Sequence, residues 1–223
     1  VSTGVANAAI RPNLPTASDW TQDDAQKITY YTPRFSGVQL GASYIGDTNN
    51  GSTAIGGANP VNGGGFVDVF AGGINYEGNV SDNVGIEAAL TGEYGRSDTL
   101  ATEDLRAWSA GIGANFSGFS VATSYTDQGD SGTTAGDDNS FWTLGGAYEN
   151  GPFGLSATYL KGEAETAAVT NEYQLLSLGA DYQLAPGFVP YVEATFFDVD
   201  GGVAPGNAED NGNVILVGTQ LTF

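Results

Sequence analysis

Along most of its length the chain alternates with a period of two. In Val38-Gln39-Leu40-Gly41-Ala42-Ser43-Tyr44, large or apolar residues take turns with small or polar ones. The same beat runs from Val84 to Tyr94, from Phe119 to Tyr125 and from Leu155 to Tyr159. Successive side chains of a strand point to opposite faces, so the pattern predicts strands with one apolar and one polar face. No segment carries a convincing helical stripe, a short turn within the first 25 residues aside. Eleven segments read as strands: 26–33, 36–46, 66–77, 82–95, 104–116, 118–127, 140–149, 152–162, 172–184, 188–200 and 212–223.

The connections alternate in length. Short ones rich in Gly, Pro, Asn and Ser lie at Pro33-Arg34-Phe35-Ser36, from Glu77 to Asp82, and at Phe116-Ser117-Gly118, Asn150-Gly151-Pro152 and Ala185-Pro186-Gly187. Longer ones at 47–65, 96–103, 128–139, 163–171 and 201–211 are full of Asn, Asp, Gly and Thr. This predicts an up-and-down meander with every tight turn at one end and every long loop at the other. A soluble sandwich has no physical reason to segregate its loops in this way.

Strand length and face chemistry say which solvent the apolar face meets. Several segments are longer than the usual five or six residues or so. A lipid-facing band ~25 Å tall, crossed at ~40° by strands rising ~3.3 Å per residue, needs about ten residues. On the opposite face recur Gln39, Ser43, Glu87, Glu93, Ser120, Ser124, Asp181, Gln183, Glu193 and Thr195. Carboxylates in mid-strand are costly in a packed core and comfortable along a water-filled lumen. Tyr44, Tyr76, Tyr94, Trp108, Tyr125, Trp142, Tyr148, Tyr159 and Tyr182 cluster at strand ends on the apolar face, where membrane-interface girdles sit. The expectation is an all-β, transmembrane antiparallel β-barrel, with Glu87, Glu93, Asp181 and Glu193 as lumen-facing acids.

Composition sharpens this picture mainly by exclusion. The 223 residues hold 6 Lys and Arg against 26 Asp and Glu, a net charge of −20, with no His, Cys or Met. Such acidity repels nucleic acid, and the missing His and Cys remove thiol nucleophiles, His-based triads and zinc sites. No catalytic arrangement stands out, so no enzyme is expected. Loop acid pairs at Asp23-Asp24, Asp137-Asp138 and Glu209-Asp210 read as solvated. Loop calcium is conceivable there, although the spacing follows no calcium-loop pattern; no other cofactor and no assigned metal site is expected.

The segment Lys27-Ile28-Thr29-Tyr30-Tyr31-Thr32-Pro33-Arg34-Phe35-Ser36-Gly37-Val38-Gln39-Leu40-Gly41-Ala42-Ser43-Tyr44 resembles the strand–turn–strand that follows the constriction loop in general diffusion porins of Gram-negative bacteria. It is most similar to the alphaproteobacterial, rhodospirilla-like porins. The final strand, with Ile215, Val217, Thr219, Leu221 and Phe223 on one face, resembles the C-terminal signal of outer-membrane barrels, in which Leu221 and Phe223 would serve barrel closure. The resemblance implies a sixteen-stranded barrel in the bacterial outer membrane, a homotrimer, and passive diffusion of small hydrophilic solutes and ions.

Eleven strands would then be the sixth to sixteenth of the family barrel, within one barrel domain spanning 1–223. Residues 1–25 would be the tail of the pore constriction loop, and 26–223 the strands. A complete ten- or twelve-stranded barrel stays open as the alternative. In the porin reading Asp19, Asp23, Asp24 and Lys27 fall at the constriction, and the excess of acids favours weak cation selectivity. Arg34 falls in a tight turn, whereas Arg106 and Lys161 have outward parity near the loop ends, within reach of lipopolysaccharide phosphates. The rival reading is a soluble, secreted, glycine-rich all-β surface or adhesion protein. A sugar-specific channel is disfavoured because most aromatics have outward parity.

Overall fold

The computed structural model describes residues 25–48, 65–167, 169–201 and 210–222. They form one antiparallel meander of eleven strands, β1 (Lys27–Tyr31), β2 (Val38–Asp47), β3 (Phe66–Ser81), β4 (Val84–Ser97), β5 (Leu105–Phe116), β6 (Phe119–Asp127), β7 (Asp138–Asn150), β8 (Phe153–Glu165), β9 (Thr170–Tyr182), β10 (Phe188–Asp200) and β11 (Asp210–Leu221). Each strand pairs with its neighbours in sequence, in the order β1 to β11. Number and order of strands agree with the sequence pattern, and the alternation of short and long connections holds except between β8 and β9.

Burial identifies the two faces. Thr126 and Thr195 are only 3% and 4% exposed, while Ile112 is 55% and Val217 76% exposed. A soluble protein would reverse this order. Side chains crowd one another on the concave side of a curved sheet, so the polar face is concave and the apolar face looks outward. Cross-strand register keeps the faces separate: Leu40 stands opposite Ile74, and Ile74 opposite Leu90, on the convex side. Hydroxyl pairs stitch the concave side, with Thr29–Ser43 at 2.9 Å, Ser109–Thr126 at 2.9 Å, Ser124–Thr143 at 2.7 Å and Ser177–Thr195 at 3.1 Å.

The convex face carries two aromatic belts. Toward the loop end Tyr44 packs on Phe70, Trp108 on Tyr125 and Trp142 on Tyr159; toward the turn end Phe119 packs on Tyr148 and Phe153 on Tyr182. Tilted cross-strand pairs of this kind add to strand pairing beyond their buried area.

Two connections differ from the sequence expectation. The stretch from Glu77 to Ser81 continues β3, and the hairpin turns only at Asp82-Asn83, after an irregular step between Asn79 and Ser81. The expected long loop 163–171 shrinks to 166–169, because β8 and β9 pair as far as Glu165 and Thr170. Glu163 and Glu172 stand directly opposite there, which alone would repel. Lys161 on the same face resolves it, its Nζ lying 2.9 Å from Glu163 and 3.1 Å from Glu172.

Candidate functional site: the concave wall

Lys27 opens β1 opposite Ile45, on the concave parity. On β4, Glu87 stands between Glu77 and Gly113, and Glu93 between Ala71 and Ala107. On the far wall Asp181 stands between Gly154 and Tyr191, and Glu193 between Gly179 and Leu216. Glu193 accepts hydrogen bonds from Ser177 (3.1 Å) and Thr195 (3.2 Å). Asp181 and Glu193 thus neighbour each other on adjacent strands, whereas Glu87 and Glu93 lie six residues apart on β4, about 20 Å along the strand. Five strand spacings separate β4 from β9, about 24 Å along the sheet, and the wall between them is lined by hydroxyls. Asp19, Asp23, Asp24 and Phe223 lie outside the described residues; Leu221 stands on the convex face opposite Phe188.

The structure adds concave residues that the sequence reading did not single out. Glu77, expected where a strand gives way to a turn, sits well inside β3 directly across from Glu87. Glu149, near the end of β7, shares the concave parity. Arg34, expected in a turn only, reaches the wall. Thr32 N–H bonds to Leu40 at 2.9 Å and Phe35 pairs with Val38, so Pro33 and Arg34 together face Gln39. Pro33 has no N–H to offer the ladder, and such a bulge re-aims the next side chain. The local signal was Pro33 itself.

A few aromatics also occupy this face, beside the outward-facing majority that the sequence predicts. A Cβ on Gly41, Gly212 or Gly218 would lie within 2.8 Å of the rings of Tyr31, Phe197 and Tyr191 respectively. These rings cover glycines of the adjacent strand, a known way of restoring contact where a strand has no side chain.

At the loop end the concave wall turns apolar. Ile45, Phe66, Val69, Leu105 and Ala107 form a buried cluster, with Ala25 packed against it. The β6–β7 loop folds toward it: Gly132 N–H bonds to Glu103 at 3.1 Å, Glu103 N–H to Thr133 at 2.9 Å, and Arg106 N–H to Ser131 Oγ at 2.9 Å. The polar alternation missed this patch because it belongs to strand ends and loops. Among the described residues no three acidic side chains group so as to hold a metal ion. Asp137 receives the Thr134 N–H at 3.3 Å within its turn; Asp23, Asp24 and Glu209 lie outside the described residues.

An antiparallel meander with an apolar, aromatic-belted outer face and a polar inner face is the wall of an outer-membrane barrel. The Gram-negative porin family matches residues 2–202, and the chain belongs to that family. It is similar to an uncharacterised protein of Rickettsia conorii, with 27% identity over 254 residues that cover 89% of this chain and 57% of the other. A second uncharacterised protein, from Rickettsia prowazekii, is 26% identical over 258 residues, covering 90% and 58%. The chain thus spans somewhat over half the length of these relatives.

Among solved structures, an anion-selective porin from Comamonas acidovorans superposes with a TM-score of 0.65 at 18% identity, over 89% of this chain and 59% of that one. The outer-membrane channel DcaP of Acinetobacter baumannii gives 0.59 at 16% identity, over 97% and 69%. These likenesses show a shared porin fold. Family and fold make the chain a bacterial outer-membrane β-barrel protein, and the exposed apolar convex face does not suit the rival soluble reading.

Proposed function

We propose that the full-length protein forms a water-filled channel for passive diffusion of small hydrophilic solutes and ions, with weak cation selectivity. The balance of ionisable groups on the concave wall carries this reading. Glu77, Glu87, Glu93, Glu149, Asp181 and Glu193 take the concave parity of their strands, against Lys27 and Arg34. A lumen lined by carboxylates concentrates cations. The Comamonas porin is anion-selective, but at 18% identity its lumen charges do not transfer.

In this reading 1–223 belongs to one barrel domain. Residues 1–25 are the tail of a constriction loop that carries Asp19, Asp23 and Asp24 into the pore, with Lys27 beside it. The contact of Ala25 with the concave apolar cluster supports that course. β1 and β11 run in the same direction, so they cannot close an antiparallel barrel on each other. The sixteen strands of the resemblance would set five more between these two edges. A homotrimer is part of the proposal; one similar structure is a trimer form of Vibrio cholerae OmpT, with a TM-score of 0.52 at 15% identity. Arg106, convex and opposite Tyr94 near the loop end, suits lipopolysaccharide phosphate, and Leu221 with Phe223 would serve barrel closure.

In planar bilayers under a KCl gradient, the protein is expected to conduct with a reversal potential on the potassium side. A potential on the chloride side would sink cation selectivity, and absence of conductance would sink the channel itself.

A further inference from the structure

Toward the turn end, Glu77 and Glu87 confront each other directly across β3 and β4. Like charges placed so destabilise a sheet unless something offsets them. Arg34 is that something. Its Nη1 donates to the Gly37 carbonyl at 2.6 Å, and its Nη2 donates to Asn75 Oδ1 at 2.6 Å and Gln39 Oε1 at 3.5 Å. The same Nη2 lies 3.7 Å from Glu77 Oε2. Gln39 is itself held by a 3.1 Å bond from its Nε2 to the Thr32 carbonyl. The guanidinium is therefore fixed by a turn carbonyl and two amide oxygens while one edge faces a carboxylate. Over it opens a cavity of about 540 Å³ whose lining includes Arg34, Asn75, Glu77, Glu87, Ser124 and Thr158. Both acids and the guanidinium thus border the same water-accessible space.

We infer that Arg34 is a selectivity-determining residue of the pore: with Glu77 and Glu87 it forms a charge filter near the turn end, in which Arg34 limits the cation attraction of the acid pair. The filter belongs to the strand wall and its turn, so it operates independently of whatever charge residues 1–25 carry. Two carboxylates and one guanidinium leave one net negative charge, and loss of Arg34 doubles it. This inference rests on the channel reading.

The test compares Arg34→Gln, Arg34→Lys and Glu87→Gln in the full-length protein, by potassium-to-chloride permeability ratios in planar bilayers. Arg34→Gln is expected to raise the ratio by roughly two- to five-fold in dilute salt, as for a unit charge acting through water over about 4–8 Å. Glu87→Gln is expected to lower it by a similar factor, and Arg34→Lys to leave it near the wild-type value. The changes should shrink in 1 M KCl, where the screening length falls from about 10 Å to about 3 Å. A conducting Arg34→Gln protein with the wild-type ratio in dilute salt overturns the inference. So does an Arg34→Lys protein that shifts as far as Arg34→Gln, since the turn's shape rather than its charge would then matter. Should Arg34→Gln fail to assemble, Glu87→Gln decides, because no hydrogen bond of the turn depends on it; an unchanged ratio overturns the inference. A wild-type protein without conductance removes the channel reading, and this inference with it.

Discussion

Replacing Ile112 by Arg is expected to cost the folded protein about 2–4 kcal/mol, the penalty for a cation at the lipid-facing midplane of a barrel. Ile112 lies on the convex face of β5, four residues from Trp108 and four from Phe116, and it is more than half exposed. That places it midway between the aromatic belts, with about 13 Å of strand on either side. Its cross-strand partners are Ala88 and Thr123, so no carboxylate stands ready to pair with a new cation. Arg106 lies on the same face of the same strand, six residues nearer the loop end, where a long side chain reaches the interface.

The informative control is Ser120→Arg. Ser120 is exposed on the concave side of β6, opposite Asn115 and Ala147, and a cation there stays in water. Urea unfolding of the protein refolded into lipid vesicles, followed by tryptophan fluorescence, would separate the two variants. Ile112→Arg should lose stability and Ser120→Arg should keep it. The reverse outcome would mean that the assignment of the faces is inverted.

Much of this wall is legible in the sequence because alternation is a local property. Leu90 and Glu87 declare opposite faces from their spacing alone, and the pattern across eleven segments sets strand number and order. The concave chemistry is legible only where a side chain follows the parity of its own strand. Glu193 and Asp181 do so. Arg34 does not, because the bulge at Pro33 redirects it and its partner Asn75 lies 41 positions away. Beyond Glu77 the pattern ends too early: the Gly78-Asn79 pair looks like a turn, yet β4 holds it in register. The concave apolar patch is invisible because Phe66 and Leu105 begin their strands and meet only after folding. Lys161 shortens an expected loop by a contact that no strand period encodes.

The turn at Ser117-Gly118 is a place where a single methyl group should destabilise the barrel. Gly118 has φ of +85° after Ser117 at +48°, the mirror-image turn that matches strand twist in two-residue hairpins. The following hairpin packs against it. Glu149 N–H bonds to the Gly118 carbonyl at 2.8 Å, and a Cβ on Gly118 would sit 2.4 Å from the Glu149 carbonyl oxygen. Gly37 and Gly187 repeat the arrangement, with Cβ positions 2.5 Å from the Glu77 oxygen and 2.4 Å from the Thr222 oxygen. Each turn glycine therefore answers two demands, a left-handed backbone and the close approach of the next strand pair.

Gly151 separates the two demands, because it also has positive φ, at +59°, with nothing within 4 Å of where a Cβ would sit. Gly151→Ala should cost only the left-handed strain of roughly 1–2 kcal/mol. Gly118→Ala should cost roughly 2–3 kcal/mol, because the Glu149 carbonyl must withdraw and its neighbouring hydrogen bond weakens. Gly118→Val should abolish assembly, since a β-branched residue rarely tolerates positive φ at all. Heat-modifiable gel mobility reads assembly, and urea midpoints rank the alanine variants. Equal midpoints for Gly118→Ala and Gly151→Ala would show that backbone conformation alone governs these turns and that the packed hairpin yields freely.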